Sequence, residues 1–127
     1  MDIIEYYNFE VSEAFVFDEF IINQFKEGVI VEPKYNDLLN DCIKKHFSGK
    51  KMVYISNRAK SYSVNPLIYK EAEKIPNLIA IAIIPKTDIM RKNAEYELKF
   101  YDKPYEIFDN LTNAIEWAHS LIAKTES

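Results

Sequence analysis

Short runs of apolar residues open the chain, and their pattern is typical of β-strands. Three runs cover residues 3–9, 14–17 and 20–25, with polar residues between them. Aromatic and β-branched side chains dominate these runs, as expected for strands. Gly28 indicates a bulge or bend before the apolar residues 29–31. Because the connections are short, we predict an antiparallel meander.

After Pro33 the apolar positions recur with the period of helices, and strand-like runs separate the helical segments. In the first helix, the residues predicted to form the inward face are Tyr35, Leu38, Leu39, Cys42, Ile43 and Phe47. The other three helices are predicted to begin at Asn65–Pro66, at Thr87 or Asp88, and at Asn110. The intervening strands are predicted at residues 52–55, 78–84 and 105–108.

The predicted element order is therefore β-β-β-α-β-α-β-α-β-α, within a single domain that spans residues 1–127. Single-helix crossovers predict parallel pairing of the later strands with right-handed connections. Residues 78–84 are apolar without alternation, which indicates an inner strand covered on both faces. The predicted fold class is α/β: a mixed sheet with an N-terminal antiparallel meander followed by three βα units.

Composition narrows the classes of function. The net charge of −4 argues against nucleic acid as the main partner, because phosphate binding needs a continuous basic surface. The sequence contains no run of about 18 apolar residues, so it predicts no membrane span. The single cysteine, Cys42, cannot form an internal disulfide, which fits a reducing, cytoplasmic location. With only two glycines, neither a Walker loop nor a dinucleotide-binding fingerprint can form.

Charge is distributed unevenly, and this draws attention to one loop. Residues 42–70 contain seven basic residues and no acidic one, although the chain as a whole is acidic. Within them, residues 56–66 connect a strand to a helix, and ligand sites in open α/β sheets lie at the carboxyl ends of the strands. The candidate binding or regulatory residues are Ser56, Asn57, Arg58, Lys60, Ser61, Ser63 and Asn65.

Two interpretations of this loop stay open. In the first, free N–H groups of the next helix, together with Arg58 and Lys60, bind a phosphate or a carboxylate weakly. In the second, the loop is only a connection, with Asn65 as a helix cap and the two basic residues as solvated charges.

The sequence offers no catalytic group of residues. His46 and His119 have no ligand-type neighbours at metal spacing, and Cys42 lies on the apolar face of a helix. Four glutamates are interpreted as exposed helical residues: Glu71, Glu73, Glu95 and Glu97. We therefore expect a protein that is not an enzyme and that needs no metal or cofactor.

The element order and the motif around the loop resemble those of the STAS domain family. The chain is similar to the small stand-alone SpoIIAA-like proteins, which carry Tyr-Ile-Ser-Asn-Arg followed by Ser-Tyr-Ser-Val-Asn/Asp-Pro. These segments are residues 54–58 and 61–66 here. In signalling members an Asp ends the strand and an Asp-Ser pair begins the helix, whose serine a partner kinase phosphorylates. Asn57 takes the place of that Asp, and Ser63, then Ser61, are the nearest equivalents of the serine.

Two functions follow as expectations. The resemblance implies a non-enzymatic protein-interaction or regulatory module, with a regulatory protein partner and an anion or phosphorylation site at the loop. The alternative is a carrier of a lipid or small apolar ligand, held between sheet and helices. The aromatic residues of the meander motivate it: Tyr6, Tyr7, Phe9, Phe15, Phe17, Phe20 and Phe25. If they are exposed, the same side chains favour a homodimer.

Overall fold

A computed structural model describes residues 3–60 and 62–126 of the chain. Its strands are β1 (Glu5–Asn8), β2 (Ser12–Val16), β3 (Phe20–Phe25), β4 (Ile30–Val31), β5 (Met52–Arg58), β6 (Ser63–Val64), β7 (Leu78–Pro85) and β8 (Tyr105–Ile107). Its helices are α1 (Asn36–His46), α2 (Leu67–Ala72), α3 (Asp88–Glu97) and α4 (Leu111–Glu126), with short 3₁₀ turns at Pro33–Tyr35 and Leu98–Phe100.

Six strands form a mixed sheet in the order β1-β2-β3-β5-β7-β8. The first three pair antiparallel, and β3, β5, β7 and β8 pair parallel. The predicted α/β class and the antiparallel meander are therefore confirmed. Strand β7 lies between β5 and β8, and most of its side chains are buried, which confirms the inner placement of residues 78–84.

Helices cover both faces of the sheet. On one face, α4 packs through small side chains, among them Ala114 and Ala118, against apolar side chains of β3, β5 and β7. The other face packs against α1, α2 and α3. Because side chains alternate along a strand, β5 presents Val53 and Ile55 to α4 and its even-numbered residues to the other helices.

Helices α3 and α4 begin at the capping residues predicted for them. The side chain of Thr87 accepts a hydrogen bond from the backbone N–H of Met90 at 3.2 Å, and Asn110 accepts from Asn113 at 2.9 Å. These bonds satisfy backbone donors that a helix leaves free at its start. Within the part of the chain that the structure describes, no helix is both long enough and apolar enough to span a membrane.

Two features differ from the prediction and shape the site. Strand β5 continues to Arg58, three residues beyond its predicted end, since it pairs with β7 as far as Pro85. A two-stranded parallel sheet of β4 and β6 is the second difference. This sheet holds the segment before α2 against the segment before α1.

Candidate functional site

A stripe of buried polar residues crosses the face of the sheet that α1 and α2 cover. Ser12, Asn23, Ser56 and Arg58 are each less than 9% exposed, on three neighbouring strands, and Asn23 lies beside Ser56 in the register. Burying polar groups is costly unless they find hydrogen-bond partners. The opposite face, under α4, has an apolar core. The buried polar residues therefore make this face of the sheet the candidate location of a binding site.

The stripe forms one wall of a cavity between the sheet and helices α1 and α2, which we call the inner cavity. Its volume is about 70 Å³. Its other walls are mainly apolar, with Ala14 and Ile21 from the sheet and Leu39, Cys42 and Ile68 from the helices. A cavity needs at least about 10 to 15 Å³ of such space to hold one water, so the inner cavity has room for at most about five waters or a ligand fragment of about five non-hydrogen atoms.

Arg58 ends β5 and is held by a buried ion pair with Glu97 of α3. Both residues are 4% exposed. Nη1 of Arg58 donates to Oε2 of Glu97 at 3.0 Å, and Nη2 donates to Oε1 of Glu97 and to the hydroxyl of Tyr69. The Tyr69 hydroxyl in turn donates to Glu97. Burial acts to lower the pKa of Arg58, but the hydrogen bonds with Glu97 and the charge interactions with Tyr62, Tyr69 and Glu97 together outweigh this effect, and the pKa is raised.

One donor of Arg58 is left over. Its Nε is buried and has no hydrogen-bond acceptor among the described residues. A buried donor without an acceptor costs about 1 to 3 kcal/mol. Arg58 is among the residues that line the inner cavity.

Tyrosine side chains complete the polar wall. The ring of Tyr62 packs on Arg58, with 5.7 Å between the ring centroid and Cζ, and its hydroxyl bonds to the Ser56 hydroxyl at 3.2 Å. Asn23 donates to the hydroxyl of Tyr54 at 2.9 Å. Burial raises the pKa of both tyrosines, which keeps their hydroxyls neutral.

A second, more polar cavity lies outside this wall, between α3 and the connection from β5 to α2. We call it the outer pocket, and its volume is about 220 Å³. It is lined by Arg58, Lys60, Tyr62, Ser63, Val64, Pro66, Met90, Asn93, Tyr96 and Glu97. Three of these residues also line the inner cavity: Arg58, Tyr62 and Val64. The outer pocket lies at the carboxyl end of β5, where open α/β sheets hold ligands.

The structure divides the predicted loop residues into groups. Ser56, Asn57 and Arg58 belong to β5, and of these Ser56 and Arg58 line the inner cavity. Lys60 and Ser63 line the outer pocket. The interpretation of Arg58 as a solvated loop charge is wrong, because β5 extends further than predicted and carries this residue into the core.

Asn65 does not line either cavity. Asn65 donates to Glu32 at 3.2 Å and accepts from the backbone N–H of Leu67 at 3.1 Å. Ser61 lies outside the described residues.

The N–H groups that were expected to hold an anion are already bonded. Asn65 accepts from Leu67 and Ile68, and the carbonyl of Pro66 accepts from Tyr69 at 3.1 Å. Helix α2 has only six residues, and its first turn is closed by these local bonds. Anion binding by the loop stays a prediction, but its donors have to be side chains.

Glu97 was wrongly interpreted as exposed. The inward positions predicted for the third helix were Met90, Ala94, Leu98 and Tyr101. Tyr101 is buried as predicted, whereas Leu98 is 45% exposed and Glu97 is buried. Glu97 follows Ala94 by three residues and Met90 by seven, so it shares their face of the helix. That spacing was the available signal, but the charge of the side chain argued against burial.

Cys42, His46 and His119 make contacts that are typical of residues with a structural role. Burial raises the pKa of the Cys42 thiol to about 11, so the thiol stays protonated at neutral pH. His46 bonds the hydroxyl of Tyr7, and His119 pairs with Glu19. Among the described residues, no group of three or more His, Cys, Asp or Glu side chains could hold a metal ion.

Comparison with known proteins adds no relative, since no family model, curated protein or solved structure matches the chain. The resemblance to STAS domains accordingly rests on the motif and the element order, and it stays a prediction.

Proposed function

We propose that the protein binds a small amphipathic molecule noncovalently, with its apolar part in the inner cavity and a hydrogen-bond acceptor at Nε of Arg58. The observation that carries this proposal is a buried donor without an acceptor among the described residues, on a residue that lines a mainly apolar cavity. A ligand acceptor at that atom would remove the cost of the unmet hydrogen bond.

The charges around the inner cavity favour a neutral group at Arg58. Among the described residues, Arg58 is the one charged residue in the lining, and Glu97 already neutralises it. A charged ligand group buried there would have no counter-charge, which is costly. A carbonyl, an amide or a hydroxyl oxygen would accept the hydrogen bond without this cost.

The size of the cavity narrows the ligand further. A volume of about 70 Å³ is too small for a lipid chain, so a small ligand is favoured over the lipid carrier. The best small ligands gain about 1.5 kcal/mol per non-hydrogen atom, so a five-atom fragment binds with at most about 7.5 kcal/mol. This limit corresponds to a dissociation constant of about 3 μM, so such a fragment binds in the micromolar range or more weakly.

Cys42 provides a test, because it is the only cysteine and it lines the inner cavity. We expect 2-butanone to slow the reaction of Cys42 with methyl methanethiosulfonate, followed by intact-protein mass spectrometry. The matched probe 2-methyl-1-butene, in which a CH₂ group replaces the carbonyl oxygen, should protect more weakly because it cannot accept from Arg58.

The control places the cysteine elsewhere. In the double variant Cys42→Ala with Ala118→Cys, the thiol lies under α4, away from the inner cavity. 2-Butanone should leave the rate at this position unchanged. Equal slowing at both positions, or none at Cys42, would contradict binding in the inner cavity.

A second function, the STAS-like regulatory module, is supported by the surface around Ser63. Ser63 is exposed and pairs across the small sheet with Ile30, which is 59% exposed, and Leu67 nearby is 57% exposed. A regulatory protein partner could contact these apolar side chains, and a phosphate on Ser63 or Ser61 would change that contact. Affinity capture with wild type, Leu67→Asp and Ser63→Asp tests this function; recovery of the same proteins by all three would argue against it.

The homodimer and the cytoplasmic location stay predictions. The meander is less exposed than expected, since Phe20 and Phe25 are buried, while Tyr6 is 46% exposed. The meander therefore supports a homodimer less strongly than its composition did.

A further inference from the structure

The outer pocket carries one positive charge that the described residues leave unpaired. Its charged residues are Arg58, Lys60 and Glu97, and the first and last neutralise each other. Lys60 is exposed and makes no ion pair with the described residues. Glu32 approaches the same segment, but it bonds to Asn65 and does not line the outer pocket. A single negative charge placed in the outer pocket would balance Lys60.

Neutral polar groups surround this charge. Ser63 contributes a hydroxyl from β6, and Asn93 and Tyr96 contribute an amide and a hydroxyl from α3. All three side chains are exposed, so an anionic group there would keep part of its hydration. With about 30 Å³ for each water in the liquid, 220 Å³ has room for a carboxylate and several waters.

The two cavities are neighbours, because Arg58, Tyr62 and Val64 line both. A molecule that fills the inner cavity and extends past Tyr62 would place its other end in the outer pocket. We propose that the ligand is a short amphipathic carboxylic acid, with its carboxylate in the outer pocket against Lys60. This inference rests on the proposed function, and it adds the charge and the polarity of the ligand.

Three related probes separate the two proposals. The first is 2-butanone, the second is 4-oxopentanamide, and the third is 4-oxopentanoate, which extends 2-butanone by a carboxylate. We expect 4-oxopentanoate to bind the wild-type protein about tenfold more tightly than the neutral amide, as for a charge-assisted hydrogen bond. Raising the ionic strength should reduce the preference, because the carboxylate and Lys60 are both partly solvated.

The decisive variant is Lys60→Gln, which changes an exposed side chain. We expect it to abolish the preference for 4-oxopentanoate and to leave the affinity for 2-butanone unchanged. The matched control is Lys44→Gln in the last turn of α1, which should retain the preference. Isothermal titration calorimetry or NMR titration provides the dissociation constants.

The outcomes are distinguishable. Equal affinity for 4-oxopentanoate and its amide, or a preference that survives in Lys60→Gln, would overturn the carboxylic acid while the proposed function stands. If none of the three probes binds, both proposals fail.

Discussion

At the scale of single residues, the ion pair between Arg58 and Glu97 is the most consequential feature of the site. It fixes the guanidinium through two donors and leaves Nε for another acceptor. Buried pairs of this kind add little net stability, because desolvation offsets the attraction between the charges. Removing one partner is much more costly, because the other charge remains buried.

We therefore predict that Glu97→Gln lowers the free energy of unfolding by about 3 to 5 kcal/mol. Arg58 would keep its charge without a counter-charge in a nearly dry environment. Glu95→Gln is the matched control on the same helix, and we expect it to stay within about 0.5 kcal/mol because Glu95 is exposed. Urea denaturation measures the free energy of unfolding of both variants. Similar small effects for the two variants would show that the pair is not buried.

At the scale of elements, the two faces of the sheet differ in how tightly they are packed. Alanines of α4 bring this helix close to β5 and β7, whereas α1 and α2 enclose the inner cavity on the other face. The polar stripe on β3 and β5 lies on the loosely packed side.

This difference in packing predicts a smaller effect of a larger side chain on the inner-cavity face than on the α4 face. Ala14→Val in β2 would fill part of the inner cavity, so we expect the free energy of unfolding to change by less than about 1 kcal/mol. Ala80→Val in β7 would overpack the contact with α4 and should cost about 1 to 3 kcal/mol. Thermal or urea unfolding compares the two variants, both of which add the same groups to a strand. A larger loss for Ala14→Val would argue against the inner cavity.

The sequence predicted the long elements well and the site only in part. Elements with a long and clear apolar pattern, such as the continuous run at residues 78–84, lie where they were expected. The sheet of β4 and β6 escaped prediction, because each strand has two residues and its partner is distant in the chain. Arg58 and Glu97 were misplaced for a related reason: their burial depends on a pair formed across 39 residues, which local patterns do not contain.

At the scale of the whole molecule, the basic run from residue 42 to residue 70 does not form one surface. Lys44 and Lys45 lie in the last turn of α1, before β5 begins, and Arg58 and Lys60 lie at or beyond its other end. The strand therefore separates two groups of positive charge. The parallel strands provide a rigid frame, and the connections at their carboxyl ends contribute the side chains of both cavities.

The central claim is that a ligand acceptor binds Nε of Arg58, and the Nε–Hε signals in a ¹H–¹⁵N NMR spectrum test it most directly. The chain has two arginines, and Arg91, which is partly exposed, is the internal reference; Arg91→Lys assigns the signals. On titration with 2-butanone, we predict that the Arg58 Hε signal moves downfield, as a new hydrogen bond requires, while the Arg91 signal stays in place. An unchanged Arg58 signal at concentrations that protect Cys42 would contradict the account.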